Sequence, residues 1–214
     1  MLVPALAVAH NISGANARFV EGLEGSAVMP FMYLGAKHMV TGYDHLLYLL
    51  GVVFFLRRFR EVLLYVTLFT LGHSITLMAG VLLELNVNAY LVDTIIGLSV
   101  AYKAFENING FKQVLGWQLN ARAAVFIFGL CHGLGLATKV QGLSLSADSL
   151  VTNMLSFNVG VEIGQALALG LIVLVLTQWR QRISFEKHAF IANTLLMGAG
   201  FVLAGYQFAG YLWQ

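Results

Sequence analysis

Six apolar stretches run through this chain, at about 31–56, 61–84, 89–108, 122–140, 150–178 and 189–212. Each approaches or exceeds the roughly 20 residues needed to cross about 30 Å of hydrocarbon. The only prolines are Pro4 and Pro30, so everything after Pro30 can run as helix without a proline break. Charge is scarce enough to make the membrane reading compulsory. Asp, Glu, Lys and Arg make up 10% of the 214 residues and apolar residues 59%, where soluble domains carry about 25% charge. A soluble fold could not cover its surface with so few charges, which excludes an ordinary cytosolic enzyme, a disordered chain and a free nucleic-acid binder. The expected fold is all-α: a polytopic membrane bundle of about six transmembrane helices forming one domain over 31–214, after an external segment over 1–30. The first stretch holds Lys37, His38, Thr41, Asp44 and His45 together with Gly35 and Gly42, which allow it to be broken or re-entrant.

Orientation follows from Lys and Arg. Arg57, Arg58 and Arg60 lie between the first two stretches, Lys112 and Arg122 between the third and fourth, and Arg180, Arg182 and Lys187 between the last two. The opposite side carries Arg18 and Lys139 with the acids Glu21, Glu24, Glu84, Asp93 and Asp148. The positive-inside rule places the basic loops in the cytoplasm and both termini outside. A net charge of +2 without a basic tract leaves no nucleic-acid footprint. The one cysteine, Cys131, permits no internal disulfide. Residues 1–9 end in Ala-Val-Ala, a partial signal-peptide pattern without a charged n-region. Cleavage there would leave His10 first, where amine and imidazole could chelate a metal; an ordinary surface histidine is the blander expectation.

Ionisable residues inside a membrane span are expensive and mark function by default. Asp44 and His45 fall just past the middle of the first stretch, His73 at the centre of the second, His132 at the centre of the fourth and Glu162 near the middle of the fifth. Three histidines and two carboxylates thus reach one level from four helices. His38, seven residues before His45, stands about 10 Å further out on a continuous helix. Thr70, His73 and Ser74 form a polar patch, and Asn158, Glu162 and Gln165 follow a helical stripe expected to face the bundle interior. Imidazole nitrogens with carboxylate oxygens suit Ni, Zn, Co or Cu, and a carboxylate beside a histidine can orient its ring. The metal candidates are therefore His38, Asp44, His45, His73, His132 and Glu162, with Thr41, Thr70, Ser74, Asn158 and Gln165 around them. Cys131 is a minor ligand candidate beside a packing role. A structural hydrogen-bond network joining the helices is the competing explanation.

Other polar groups take blander readings. Glu84 and Asp93 are expected to be solvated near the outer interface, and Lys103 to pair with Glu106 or to snorkel. Trp117, Trp179, Trp213, Tyr90 and Tyr211 suit belt positions. Gly129 with Gly133, and Gly160 with Gly164, are small-xxx-small pairs that allow close helix approach. Gly72-His73-Ser74 and Cys131-His132-Gly133 hint at an echo between two halves of three spans each, which would be an inverted repeat.

Four segments carry a resemblance to a known family: Gly42-Tyr43-Asp44-His45-Leu46-Leu47, the run Phe69–Leu77 around Gly72-His73-Ser74, Phe128–Gly135 around Cys131-His132-Gly133, and Phe157–Gln165 around Glu162. Over roughly 31–170 the chain resembles the HupE/UreJ family of bacterial membrane proteins. Members known or proposed as nickel permeases carry a H-x5-D-H signature in the first span, and His38 with Asp44-His45 matches it in full. The resemblance implies an inner-membrane protein in which His38, Asp44 and His45 contact nickel or cobalt along an uptake path. It departs at the second family motif, F-H-G-x-A-H-G-x-E. Aligned on His132, Phe128 stands where the first His belongs and Gly135 where the Glu belongs. The chain looks like a side branch of the family, with His73 and Glu162 as candidates for the missing ligands.

Three functions fit these residues. The first is a transition-metal permease passing its cation between staggered histidines. The second is an intramembrane metal-dependent hydrolase, with Asp44 or Glu162 as general base and Ser74 or Asn158 stabilising an oxyanion. The third is a structural or accessory subunit whose polar core only orders the helices. The lipid bilayer and a metal ion are the expected partners.

Overall fold

A computed structural model describes residues 25–141 and 149–213 of the chain, without the side chain of Lys139. The expectations for residues 1–9, His10, Arg18, Glu21, Glu24 and Asp148 lie outside the described residues. Within them every regular element is a helix, as the absence of proline after Pro30 leads one to expect: α1 Val28–Thr41, α2 Tyr43–Val53, α3 Phe59–Leu82, α4 Ala89–Asn107, α5 Gly110–Leu115, α6 Ala121–Val140, α7 Leu150–Arg180 and α8 Phe185–Leu212.

Four of these are long and apolar enough to cross a membrane: α3, α6 as far as Thr138, α7 and α8. The other two expected spans differ in kind. The first is divided at Gly42 into α1 and α2, and α4 carries three charged residues in its 19, all buried. The break is local. Gly42 leaves the helical region at φ −75°, ψ 95°, yet its N–H still donates to the His38 carbonyl and its carbonyl still accepts from the Leu46 N–H. The chain therefore changes direction without stranding these two groups in hydrocarbon.

Three helix ends are closed by side chains. Asn88 and Asn120 cap α4 and α6, each side chain accepting two amide N–H bonds of the first turn. The Arg180 guanidinium, at the end of α7, reaches back to the carbonyls of Val53, Phe54 and Leu56, at 2.6–2.8 Å for its terminal nitrogens. A cation at the carbonyl end of α2 opposes the helix dipole and satisfies acceptors that the helix leaves open.

Three helix pairs dominate the packing: α1 with α7, α3 with α6, and α4 with α8. Glycine makes the first two possible. Gly35, Gly160 and Gly164 lie directly against the opposing backbone in the α1/α7 pair, and Gly72, Gly129 and Gly133 do the same in the α3/α6 pair. In both pairs the partners advance together along the chain (Gly160 meets Met32 and Gly164 meets Ala36; Gly129 meets Phe69 and Gly133 meets His73), so the helices run parallel. In the third pair Gly97 meets Ala204 and Gly200 meets Ala101, so α4 and α8 run antiparallel.

Several bland expectations are refined. Lys103 does pair with Glu106, both nearly buried, and Gln118 donates to the second Glu106 oxygen. Glu84 is exposed, but Asp93 is buried, 7% exposed, against Gly135 of α6 rather than solvated. Trp117 and Trp213 are exposed like belt residues; Trp179 instead packs edge-on against Phe54 and Phe185.

Candidate functional site

The break at Gly42 builds the site. On a continuous helix His38 and His45 would stand about 10 Å apart along the axis. Across the broken one their ring centroids are 5.0 Å apart, edge to face. The expectation that His38 lies a step further out is thus corrected: the turn folds the two rings together. Gly42 is needed for this. A Cβ there would stand 2.9 Å from His45 Nδ1 and 3.2 Å from Asp44 Oδ1. Asp44 occupies the first turn of α2, where a carboxylate suits the positive helix end. Its Oδ1 lies 3.2 Å from His45 Nδ1, so the carboxylate orients the neighbouring ring.

His45 is the hub. Its ring lies 5.0 Å from His38, 5.0 Å from His132 and 5.9 Å from His73, centroid to centroid. His45, His73 and His132 are completely buried and Asp44 nearly so. The helices α1, α2, α3 and α6 thus bring four imidazoles together. Aromatic rings wall the group: Phe69 packs on His132 at 5.0 Å, Tyr48 on His132 at 5.3 Å and Phe157 on His38 at 5.9 Å. Phe69, Tyr48 and Phe157 were not singled out from sequence. The signal was there in spacing, since Phe69 precedes His73 by one helical turn and Tyr48 follows His45 by one.

The hydrogen-bonding state of the rings limits their chemistry. His132 Nδ1 lies 2.7 Å from the Phe128 carbonyl, one turn back. A carbonyl only accepts, so Nδ1 carries the proton and Nε2 presents a lone pair. That Nε2 is buried and has no hydrogen-bond partner, and the same holds for both ring nitrogens of His73. Leaving such a group unpaired costs about 1–3 kcal/mol. Among the described residues no three His, Cys, Asp or Glu side chains form a ready-made metal ligand set. The rings of His38, His73 and His132 adjoin that of His45 at angles of 65–76°.

The remaining candidates divide. Gln165 is fully buried and accepts from the Thr70 hydroxyl at 2.6 Å, tying α3 to α7 beside the cluster. Asn158 is half-buried. Ser74 and Cys131 are half-buried on their helices. Thr41 is exposed and its hydroxyl donates to the Lys37 carbonyl within α1. Glu162 departs most from expectation: it is exposed. The reason is the glycine ridge. At about 100° per residue, Glu162 lies some 200° from Gly160 and from Gly164 in opposite senses. It therefore points away from the face that those two glycines press against α1, and it does not join the histidines.

Neither a curated protein nor a solved structure matches this chain. A family model does: the one described as HupE / UreJ protein matches residues 14–214. That span contains the broken first helix, the four clustered histidines and all three helix pairs, and the chain belongs to the HupE/UreJ family.

Proposed function

We propose that the protein is a membrane permease for a divalent transition-metal cation of the nickel and cobalt class, with His38, Asp44, His45, His73 and His132 as its passage site. The observation that carries this reading is the set of imidazole nitrogens, both of His73 and Nε2 of His132, buried without a partner beside His45. A cation takes up the lone pairs of His132 Nε2 and of the one unprotonated His73 nitrogen, and so turns part of this cost into binding. Family membership points to the same cargo, since the HupE/UreJ family is associated with nickel and cobalt transport.

Six crossings, with α1 and α2 together as the first and α4 as the third, complete the proposal. The pair directions support it. Alternating spans make the first and fifth parallel, the second and fourth parallel, and the third and sixth antiparallel, which is the arrangement of the three glycine-packed pairs. Basic loops then face the cytoplasm. Rings that adjoin without forming a closed ligand set suit a path that must release its cation as well as hold it. The exposure of Glu162 weakens its part as a base in the hydrolase alternative.

The test is uptake of radioactive cobalt or nickel by proteoliposomes containing the purified chain, with His132→Gln as control. Saturable uptake that falls at least tenfold in the variant is expected. Uptake by the variant equal to that of the wild-type chain would overturn the reading, and a wild-type chain that holds stoichiometric metal tightly, loses it in the variant and hydrolyses an ester without uptake would favour the enzyme.

A further inference from the structure

The three helix pairs are related to one another in a way that the sequence alone did not disclose. Gly35 of α1 presses on the Phe157 carbonyl of α7, and Gly129 of α6 presses on the Phe69 carbonyl of α3. Gly160 presses on the Met32 carbonyl, and Gly72 on the Phe126 carbonyl. Gly164 meets the Ala36 carbonyl, and at the matching place the Thr76 hydroxyl donates to the Leu130 carbonyl at 2.6 Å. One renumbering converts each contact into its mate: 94 residues forward from α1 to α6, and 88 forward from α3 to α7. The third pair maps onto itself with a shift of 103. Gly97 on Ala204 becomes Gly200 on Ala101, and the Asn107–Asn193 hydrogen bond becomes the contact of Gly210 with Tyr90.

The exchange keeps the chain order, sending spans one, two and three to spans four, five and six. Because α4 and α8 are antiparallel and trade places, the two-fold axis lies across them, and the two halves are inverted. Outward faces agree as well: Ile75 and Ile163 are 47% and 44% exposed, and Leu71 and Val159 51% and 47%. This register differs from the expected echo between Gly72-His73-Ser74 and Cys131-His132-Gly133. The helix that answers α6 is α1.

In this register His38 and His132 are counterparts. Both rings stand 5.0 Å from His45. Each is backed by a counterpart phenyl ring, Phe157 on His38 and Phe69 on His132. His45 has no histidine counterpart, since the sequence places Lys139 there. We infer that the passage site consists of two inverted half-sites sharing His45, one completed by His38 and open to one face of the membrane, the other completed by His132 and open to the opposite face. The cation moves from the first to the second as the α1/α7 pair rocks against the α3/α6 pair. This rests on the permease reading and adds to it which histidine serves which side.

Binding of cobalt to sealed vesicles of each orientation tests it. The His38→Gln variant should bind cobalt offered on one face with near wild-type affinity and lose at least tenfold on the other. The His132→Gln variant should show the reverse, and His45→Gln should lose binding on both. Loss by the His38 and His132 variants on the same face, or on both faces alike, overturns the two half-sites while leaving the permease reading intact, provided that the wild-type chain takes up cobalt. Absence of binding by the wild-type chain overturns both. A second measurement is independent of metal. On a Cys131→Ser background, the Thr70 and Gln165 positions replaced by cysteine should cross-link across α3 and α7. Their two-fold mates, Leu77 and Asn158, should do so as well. A Leu77→Cys/Asn158→Cys chain that stays uncross-linked under conditions that close the first pair overturns the inverted arrangement.

Discussion

The amino-terminal half of the bundle, α1 to α4, and the carboxyl-terminal half, α6 to α8, use the same glycine-packed framework for different ends. The first half interrupts its leading helix at Gly42 and turns Asp44 and His45 inward at the new helix start. The second keeps α6 continuous through the corresponding stretch, from Leu136 to Val140, and contributes His132 alone to the cluster. In a membrane a helix break is tolerated only where it lines a protected interior, because free backbone groups cannot face lipid. The difference therefore says that the packing is shared between the halves, while the break brings His38, Asp44 and His45 together in the first half alone.

The hub residue is where that comparison breaks most severely. His45→Ala removes the one ring that adjoins the other three, at 5.0, 5.0 and 5.9 Å. Saturable cobalt uptake should vanish to the level of empty vesicles, whereas loss of either flanking ring should leave a measurable remainder. Equal residual uptake in the His45, His38 and His132 variants would remove the hub and with it the asymmetry between the halves. Asp44→Asn comes next. It keeps the shape of the side chain but removes the charge beside His45 Nδ1, and loss of such an orienting carboxylate typically lowers metal affinity by about 10–100-fold. Isothermal titration with cobalt would measure it, and an unchanged affinity would mean that Asp44 serves folding only.

Much of this arrangement was legible in the sequence, and the limits of what was legible are physical. Span lengths and charge scarcity come from the bilayer itself, so α3, α6, α7 and α8 could be read directly. His45, His73 and His132 could be placed at one depth because depth along a helix follows from residue count. What residue count does not give is azimuth and bend. The stripe Asn158, Glu162, Gln165 reads as one face, but only the choice of glycine ridge decides which edge of it is buried. Gln165 fell inside and Glu162 outside. The approach of His38 to His45 depends on the angle at Gly42, which a glycine permits without dictating. Burial of Asp93 depends on Gly135 of another helix coming close.

Counterpart glycines offer a quieter test of the shared framework. Gly72→Leu and Gly160→Leu drive the same large side chain into the same backbone contact, once in the α3/α6 pair and once in the α1/α7 pair. Each should destabilise the detergent-solubilised protein by a similar amount, on the order of 1–3 kcal/mol for overpacking a tight interface. Thermal unfolding read by tryptophan fluorescence would compare them. Midpoints lowered by matching amounts support equivalent packing, and a drop in only one would confine the framework to that half.

The smallest effect belongs to a pair of side chains that looked catalytic in the sequence. Ser74 and Glu162 each follow a packed glycine by two residues, Gly72 and Gly160, and the 88-residue shift relates them. Two residues on is about 200° around a helix, so both positions turn from the partner helix that the glycine touches. Glu162 is exposed accordingly and Ser74 only half-buried. A side chain that turns from the packed face is poorly placed to reach His45. Ser74→Ala and Glu162→Gln should therefore leave cobalt affinity and uptake within about twofold of wild type, by the same reasoning that makes surface substitutions away from packed features nearly neutral. A tenfold loss in Glu162→Gln would show that α7 turns during transport far enough to bring its carboxylate to the rings, which the glycine contacts of Gly160 and Gly164 with α1 now hold it from doing. The two halves would then differ in motion as well as in chemistry, because Ser74 offers no charge to deliver in the same way.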